Sequence, residues 1–187
     1  MKKNLAKKIT LSILAGAVLM SSSVVWAAVT EKPGPSVPGW TKGDFVVLGI
    51  WHTEGVEIKL SSGTGTTTPI TSAYGNGSVA TGGKLTITGG SVSNLIHGGY
   101  ENGTGTAKQN TVTISDGDFT SYIYGGYSRG GAANENTVTI SGGEFSYGSI
   151  IYGGDSYGGD ATNNTVTISG GDFTGSIYGG RSWNGNA

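Results

Sequence analysis

Residues 136–180, NTVTISGGEFSYGSIIYGGDSYGGDATNNTVTISGGDFTGSIYGG, contain nearly the same phrase twice. A strand-like segment, NTVTIS, is followed by a glycine pair, by a second apolar segment ending in IYGG, and by a polar turn. Outward from this stretch, the phrase fills residues 83–109, 110–135, 136–163 and, incompletely, 164–187. Four equivalent isoleucines, Ile87, Ile114, Ile140 and Ile168, lie 27, 26 and 28 residues apart. A near-constant period of this length is typical of a solenoid, a propeller or a repeat array.

The pattern inside each repeat favours the solenoid. In TVTIS, Val112 and Ile114 face one way and Thr113 faces the other, as in a β-strand, and the glycine pairs permit sharp bends. No segment has helical periodicity, and a propeller blade needs about 40 residues or more. We therefore expect an all-β fold, a parallel β-helix (β-solenoid) of about four coils, in which identical residues stack in columns about 4.8 Å apart. The longer spacing between Phe145 and Tyr152 in the third repeat predicts a β-bulge.

The N-terminal part divides into three segments. Residues 1–27 combine four lysines, a short apolar run and Val25-Trp26-Ala27, which predicts a secretory signal peptide cleaved after Ala27. The apolar run is shorter than the roughly 20 residues that span a bilayer. Residues 28–43, rich in proline and glycine, form a predicted linker. Residues 44–82 are expected to provide N-terminal cap strands, an apolar one at Asp44–Trp51 and an alternating one at Val56–Leu60, followed by a loop that begins at Ser61. The exported chain would carry a net charge of −5 and would have no disulfide, because the sequence contains no cysteine.

The repeats resemble those in the passenger regions of bacterial autotransporter proteins. The resemblance covers the signal peptide and residues 83–187, and its motif is NTVTISGG-x-F followed by IYGG. It implies a right-handed β-helix carried by a C-terminal outer-membrane β-barrel in a Gram-negative bacterium. No barrel follows in this sequence, so we expect a fragment of a larger autotransporter or a truncated gene product. The expected location is the cell surface, outer membrane or exterior, and the expected role is structural or adhesive.

One row of acidic residues is a candidate for chemistry. Asp118, Glu144 and Asp172 occupy the same place in successive repeats. Stacking would separate them by about 5 Å, close to the carboxylate spacing of retaining glycosidases, and polysaccharide lyases also use acidic clusters on β-helices. The simpler interpretation is a solubilising row beside a turn, since a solenoid aligns any repeated residue. We expect no enzyme, with a polysaccharide-acting enzyme as the alternative.

Two further rows are candidate binding surfaces. Outward threonines at Thr113, Thr139 and Thr167 resemble the hydroxyl arrays of ice-binding solenoids, although threonine is also simply a good strand residue. Tyrosines at Tyr124, Tyr152 and Tyr178 are expected to form an outward aromatic row that could stack on sugars. An ice- or glycan-binding module is therefore a second alternative.

His97 takes the tyrosine position in the first repeat, which is a variant of the aromatic row rather than a catalytic base. Asn110, Asn136 and Asn164 are expected to form a structural ladder of side-chain amides.

Partners follow from these features. The signal peptide would engage the secretion machinery, and a host or surface glycan or protein is the expected ligand. The sequence has no basic stripe for nucleic acid, and it predicts no cofactor and no metal site. The fourth repeat closely matches the third and has no polar cap, so its open strand edge predicts end-to-end self-association.

Overall fold

The computed structural model describes residues 57–60, 64–65 and 69–187. The predicted signal peptide, the linker and the apolar segment 44–51 lie outside the described residues. The described part consists of β-strands joined by turns. None of it forms a helix long and apolar enough to cross a membrane.

The strands are short and follow one another in a regular order. They are β1 (Glu57–Leu60), β2 (Thr64–Gly65), β3 (Ile70–Gly75), β4 (Ala80–Thr81), β5 (Lys84–Val92), β6 (Ile96–Glu101), β7 (Ala107–Lys108), β8 (Thr111–Phe119), β9 (Tyr122–Ser128), β10 (Ala133–Asn134), β11 (Thr137–Ile140), β12 (Glu144–Phe145), β13 (Ile150–Ser156), β14 (Thr165–Ile168), β15 (Asp172–Phe173) and β16 (Ser176–Ser182).

These strands wind into three parallel sheets. The first sheet has the order β1-β5-β8-β11-β14, with β2, β12 and β15 extending its face, the second has β4-β7-β10, and the third has β3-β6-β9-β13-β16. Each strand pairs with the equivalent strand one turn away. One row of residues aligned in this way consists of Glu57, Lys84, Thr111, Thr137 and Thr165. The predicted all-β solenoid of about four turns is confirmed. We number the turns from β1–β4 as turn 1 to β14–β16, which begin turn 5.

Three apolar columns fill the interior. They are Leu85, Val112, Val138 and Val166; Ile87, Ile114, Ile140 and Ile168; and Val92, Phe119, Phe145 and Phe173. The phenylalanine rings stack with centroids 4.9 Å and 4.4 Å apart. In turns 2 to 4 these side chains are fully buried. Burying each one contributes about 1.5–3 kcal/mol, so the predicted columns form the core.

A ladder of buried asparagines lines one corner of the interior. The Asn110 side-chain amide donates to Asn136 Oδ1 (2.9 Å), and that of Asn136 donates to Asn164 Oδ1 (3.1 Å). The second glycine of the IYGG phrase makes room for the ladder, because a β-carbon on Gly126 would overlap the Asn136 side chain. The repeated Gly-Gly pair and the repeated asparagine are therefore two halves of one packing arrangement.

The structure differs from the sequence prediction in turn 1. Residues 61–82, where a loop was expected, contain β2, β3 and β4, and β3 pairs with β6 with Ile70 opposite Ile96. Ala73 and Ala80 are buried there as well. β3 keeps the isoleucine and tyrosine of the repeat, Ile70 and Tyr74, but Ala73 lies where β6 has Gly99, so the repeat phrase is too incomplete to be recognised.

The extra length of the third repeat forms a turn and not the predicted bulge. Phe145 aligns with Phe119, and Ile150 aligns with Tyr122, so four residues lie between the strands in turn 4 where two lie in turn 3. Ser149 N–H donates to the Ser146 carbonyl at 3.0 Å. Gly148 has a φ of 98°, which glycine adopts without strain. Both strands keep their register because the insertion loops outward.

Candidate functional site

The outer face of the first sheet carries the predicted threonine row. Thr113, Thr139 and Thr167 align in register on β8, β11 and β14. Thr113 and Thr139 are half-buried by their neighbours, and Thr167 is exposed. The structure therefore brings these hydroxyls together in one straight row, as expected.

The acidic row lies on the same face. Asp118, Glu144 and Asp172 align in register, and all three side chains are exposed to solvent. A catalytic acid–base pair needs two carboxyl groups whose environments push their pKa values apart. Glu144 lies between Asp118 and Asp172 in the row, and burial does not set any of the three carboxyl groups apart from the others. No group of three or more His, Cys, Asp or Glu side chains in the described residues is arranged to hold a metal ion.

The predicted aromatic row is present on the third sheet, but most of its side chains are buried. His97, Tyr124, Tyr152 and Tyr178 stack face to face, with ring centroids 5.1, 5.2 and 5.2 Å apart. Tyr124 is only 6% exposed and Tyr152 only 1%. The expectation that these two tyrosines present a sugar-stacking surface is therefore wrong, because each ring face is covered by the next ring. Tyr178, in the last turn, remains exposed.

His97 shares this burial. Its Nδ1 lies 3.3 Å from Thr71 Oγ1, and desolvation lowers the pKa of His97 from 6.5 to about 3. The ring is therefore neutral in the physiological range. Desolvation also raises the pKa of Tyr124, so that phenol stays protonated.

A second column on the third sheet explains the burial and was not predicted. Three residues after the aromatic position, Tyr74, Tyr100, Tyr127, Asp155 and Arg181 align in successive turns. Rings of Tyr100 and Tyr127 stack 5.4 Å apart, and Tyr124 meets Tyr127 edge to face at 5.4 Å. The two columns therefore shield each other.

Asp155 and Arg181 replace tyrosine in this second column and form an ion pair. Arg181 Nε and Nη2 donate to the two Asp155 carboxylate oxygens at 2.8 and 2.6 Å. Asp155 is fully buried, whereas the Arg181 side chain is one-third exposed. The Arg181 guanidinium carbon also lies 4.3 Å from the Tyr152 ring centroid. The hydrogen bonds that Arg181 donates to Asp155 raise the pKa of the Arg181 guanidinium, which therefore stays charged.

A third column stands on the exposed corner beside Asp155 and Arg181. We call it the corner column: Arg129, Tyr157 and Trp183, which follow the three aligned serines Ser128, Ser156 and Ser182. Tyr157 N–H donates to the Ser128 carbonyl and Trp183 N–H to the Ser156 carbonyl, each at 3.0 Å. Tyr157 is 55% exposed and Trp183 is 61% exposed.

The aligned serines, of which Ser128 and Ser156 are buried and Ser182 is half-buried, hold the turns of the corner column in place. Ser156 Oγ donates to the Gly131 carbonyl at 2.7 Å and accepts from the Gly159 N–H at 2.8 Å. Ser182 accepts from the Gly185 N–H at 2.7 Å. The sequence signal for this corner is a turn that reads SRGG, SYGG and SWNG in successive repeats, and the change at its second position is easily attributed to variation in an exposed loop.

Comparisons with protein-family models, with curated proteins and with solved structures find no match to this chain. The likeness of the repeats to autotransporter passengers therefore stays an expectation drawn from the sequence.

Proposed function

We propose that this chain is an exported, passenger-type repeat protein of the bacterial cell surface, with a structural or adhesive role. The observation that carries the proposal is the parallel stacking of turns 2 to 5, in which equivalent strands pair with one another and the register shifts only locally, between β5 and β8. Because the core columns continue from turn to turn, the fold builds an extended body with long outer faces. Such a body suits display of a surface away from the cell better than it suits enclosure of a substrate.

Features of the sequence support the exported setting. Residues 1–27 have the charge, apolar run and small-residue site of a signal peptide, and the repeats resemble autotransporter passengers. Stability outside the cell has to come without disulfides, because the chain has no cysteine. The buried asparagine ladder and the stacked core provide it through hydrogen bonds and packing.

Export is tested by expressing the full chain in a Gram-negative host and fractionating the cells. We expect the chain outside the cytoplasm, with intact mass measurement showing an N-terminus at Ala28. A variant lacking residues 1–27 is the matched control and should stay in the cytoplasm. Recovery of the full chain in the cytoplasm with its N-terminus uncleaved would contradict the proposal.

The non-enzymatic role is tested separately. The purified chain is incubated with plant, bacterial and host polysaccharides, and new reducing ends and unsaturated products are measured. We expect none, because Asp118, Glu144 and Asp172 are all exposed and none of them is buried in the way that a catalytic acid commonly is. Turnover by the parent that disappears in the triple variant Asp118→Asn, Glu144→Gln, Asp172→Asn would establish the enzyme alternative instead.

A further inference from the structure

The corner column combines features that the rest of the solenoid lacks. Elsewhere in turns 2 to 4 the stacked aromatic rings of the third sheet cover each other, whereas Tyr157 and Trp183 are more than half exposed. Their ring centroids are 6.1 Å apart and the rings are tilted by 44°. Exposed tryptophan and tyrosine provide large apolar faces with a polar edge, the groups that most often anchor a ligand.

The ring of Trp183 is held by its neighbours. The Arg181 guanidinium carbon lies 5.0 Å from the Trp183 ring centroid, within cation–π range. Arg181 is itself fixed by its two hydrogen bonds to buried Asp155. A platform that is already ordered loses little conformational entropy when a ligand binds.

The corner column presents one exposed guanidinium, that of Arg129, although the chain as a whole is acidic and the carboxylates of Glu101 and Asp160, each bonded to a backbone N–H, lie on the neighbouring turns. Asp155 neutralises Arg181, but Arg129 makes no ion pair with any residue of the described chain. Arg129 is exposed. Burial and the charge of Asp155 raise the pKa of the Tyr127 phenol, and the charge of Arg129 opposes that rise. Since adjacent turns are about 4.8 Å apart, Arg129, Tyr157 and Trp183 span about 10 Å along the solenoid axis.

We propose that the corner column binds an acidic glycan, whose apolar sugar faces pack on Tyr157 and Trp183 and whose carboxylate pairs with Arg129. Aromatic faces favour the C–H surface of a sugar ring, and a guanidinium pairs with a carboxylate through two parallel hydrogen bonds. The inference deepens the adhesive role proposed above and rests on it for its biological setting. Binding by the purified chain does not depend on export.

The test uses isothermal titration calorimetry of the purified chain with oligogalacturonate, a uronic-acid oligosaccharide. The same oligosaccharide with its carboxyl groups reduced serves as the neutral probe, and polyglutamate serves as the acidic peptide probe. We expect oligogalacturonate to bind and both other probes to bind at least tenfold more weakly. Trp183→Ala and Tyr157→Ala should each weaken oligogalacturonate binding about tenfold or more.

Arg129→Gln should weaken oligogalacturonate to the level of the neutral probe while leaving binding of the neutral probe unchanged. Tyr147→Ala is the matched control, because Tyr147 is 92% exposed on the turn between β12 and β13 and should not affect binding. Melting curves of all variants show whether each one is folded. The exposed positions of Arg129, Tyr157 and Trp183 make unfolding of their variants unexpected.

Three outcomes would overturn the inference. These are no binding of oligogalacturonate by the folded parent, equal binding of the neutral probe with no effect of Arg129→Gln, and tighter binding of polyglutamate through the same residues. None of them bears on export, which is measured by fractionation and N-terminal mass. A cytoplasmic chain that still binds oligogalacturonate would instead leave the site standing and refute the exported setting.

Discussion

Asn136 lies at the centre of the asparagine ladder, and its replacement by alanine tests how the turns are held together. Its side chain is fully buried and makes four hydrogen bonds. Oδ1 accepts from the Asn110 backbone N–H at 3.1 Å and from the Asn110 amide at 2.9 Å. Nδ2 donates to the Ala107 carbonyl at 3.0 Å and to Asn164 Oδ1 at 3.1 Å.

The expected loss follows from the groups that would be left without these bonds. Asn136→Ala removes the partner of the Asn110 backbone N–H and the amide donor to the Ala107 carbonyl. The other two partners keep a bond each, because the Asn110 amide still reaches the Ala80 carbonyl and Asn164 Oδ1 still accepts from the residue 136 N–H. Each buried group without a partner costs about 1–3 kcal/mol, so the free energy of unfolding should fall by about 2–6 kcal/mol.

Urea unfolding followed by far-ultraviolet circular dichroism measures this loss, and the slope with denaturant must be checked because repeat proteins can leave two-state behaviour. Asn184→Ala is the matched control. Asn184 is exposed and its amide makes one hydrogen bond, to the Tyr157 carbonyl, so the loss should stay within about 1 kcal/mol. If Asn136→Ala were no more destabilising than this control, the ladder would be a by-product of stacking and not a source of stability.

Three further predictions concern side chains that are buried or exposed in the solenoid. Ile140→Asp places an unpaired charge between Ile114 and Ile168 and should lower the free energy of unfolding by several kcal/mol; a melting temperature equal to that of the parent would contradict the inward column. The pKa of His97 is about 3 when folded and 6.5 when unfolded, so the unfolded chain binds the extra proton and stability falls as pH drops from 6.5 towards 3. His97→Tyr should lessen this loss in urea titrations at pH 7 and pH 4, and identical profiles would refute the assignment. When residues 28–187 are purified on their own, exposed Ile168 and Ile177 should cause concentration-dependent association, which Ile177→Lys should reduce in sedimentation experiments; a parent that stays monomeric at high concentration argues against it.

The apolar columns of the core and the asparagine ladder could be predicted from the sequence, because both consist of residues that recur at the same position of each repeat. Where Val112 and Val138 occupy equal places in equal repeats, parallel stacking must align them, and the alternation of the strand gives their direction. The burial of Tyr124 and Tyr152 could not be predicted in this way. Alternation gives the side of the strand on which a ring lies, but it does not say which neighbours cover the ring.

The strands β2, β3 and β4 of turn 1 could not be predicted either, for a different reason. These strands pair with turn 2 through backbone hydrogen bonds, for example from the Ala80 N–H to the Thr106 carbonyl at 2.9 Å. Such bonds do not depend on side-chain identity, so a turn can join a solenoid without carrying the repeat phrase. Leu60, Ile70 and Ala80 nevertheless continue the columns of Ile87, Ile96 and Ala107, and Tyr74 continues the column of Tyr100, so turn 1 keeps single residues of the repeat without its full phrase.

Positions that differ between the repeats can specify which turn stacks on which, whereas identical positions cannot. Turns 3 to 5 share nearly the same strand phrase, so a turn could dock on the wrong neighbour with almost the same core packing. Asp155 and Arg181 break this equivalence, because they interact only when turn 5 lies directly on turn 4. An arrangement that places the turn of Arg181 against Tyr127 would leave Asp155 without its cation, and losing one partner of a buried pair costs about 3–5 kcal/mol. The ion pair therefore selects the correct register among nearly identical turns, at the same place where it holds the Trp183 ring of the corner column.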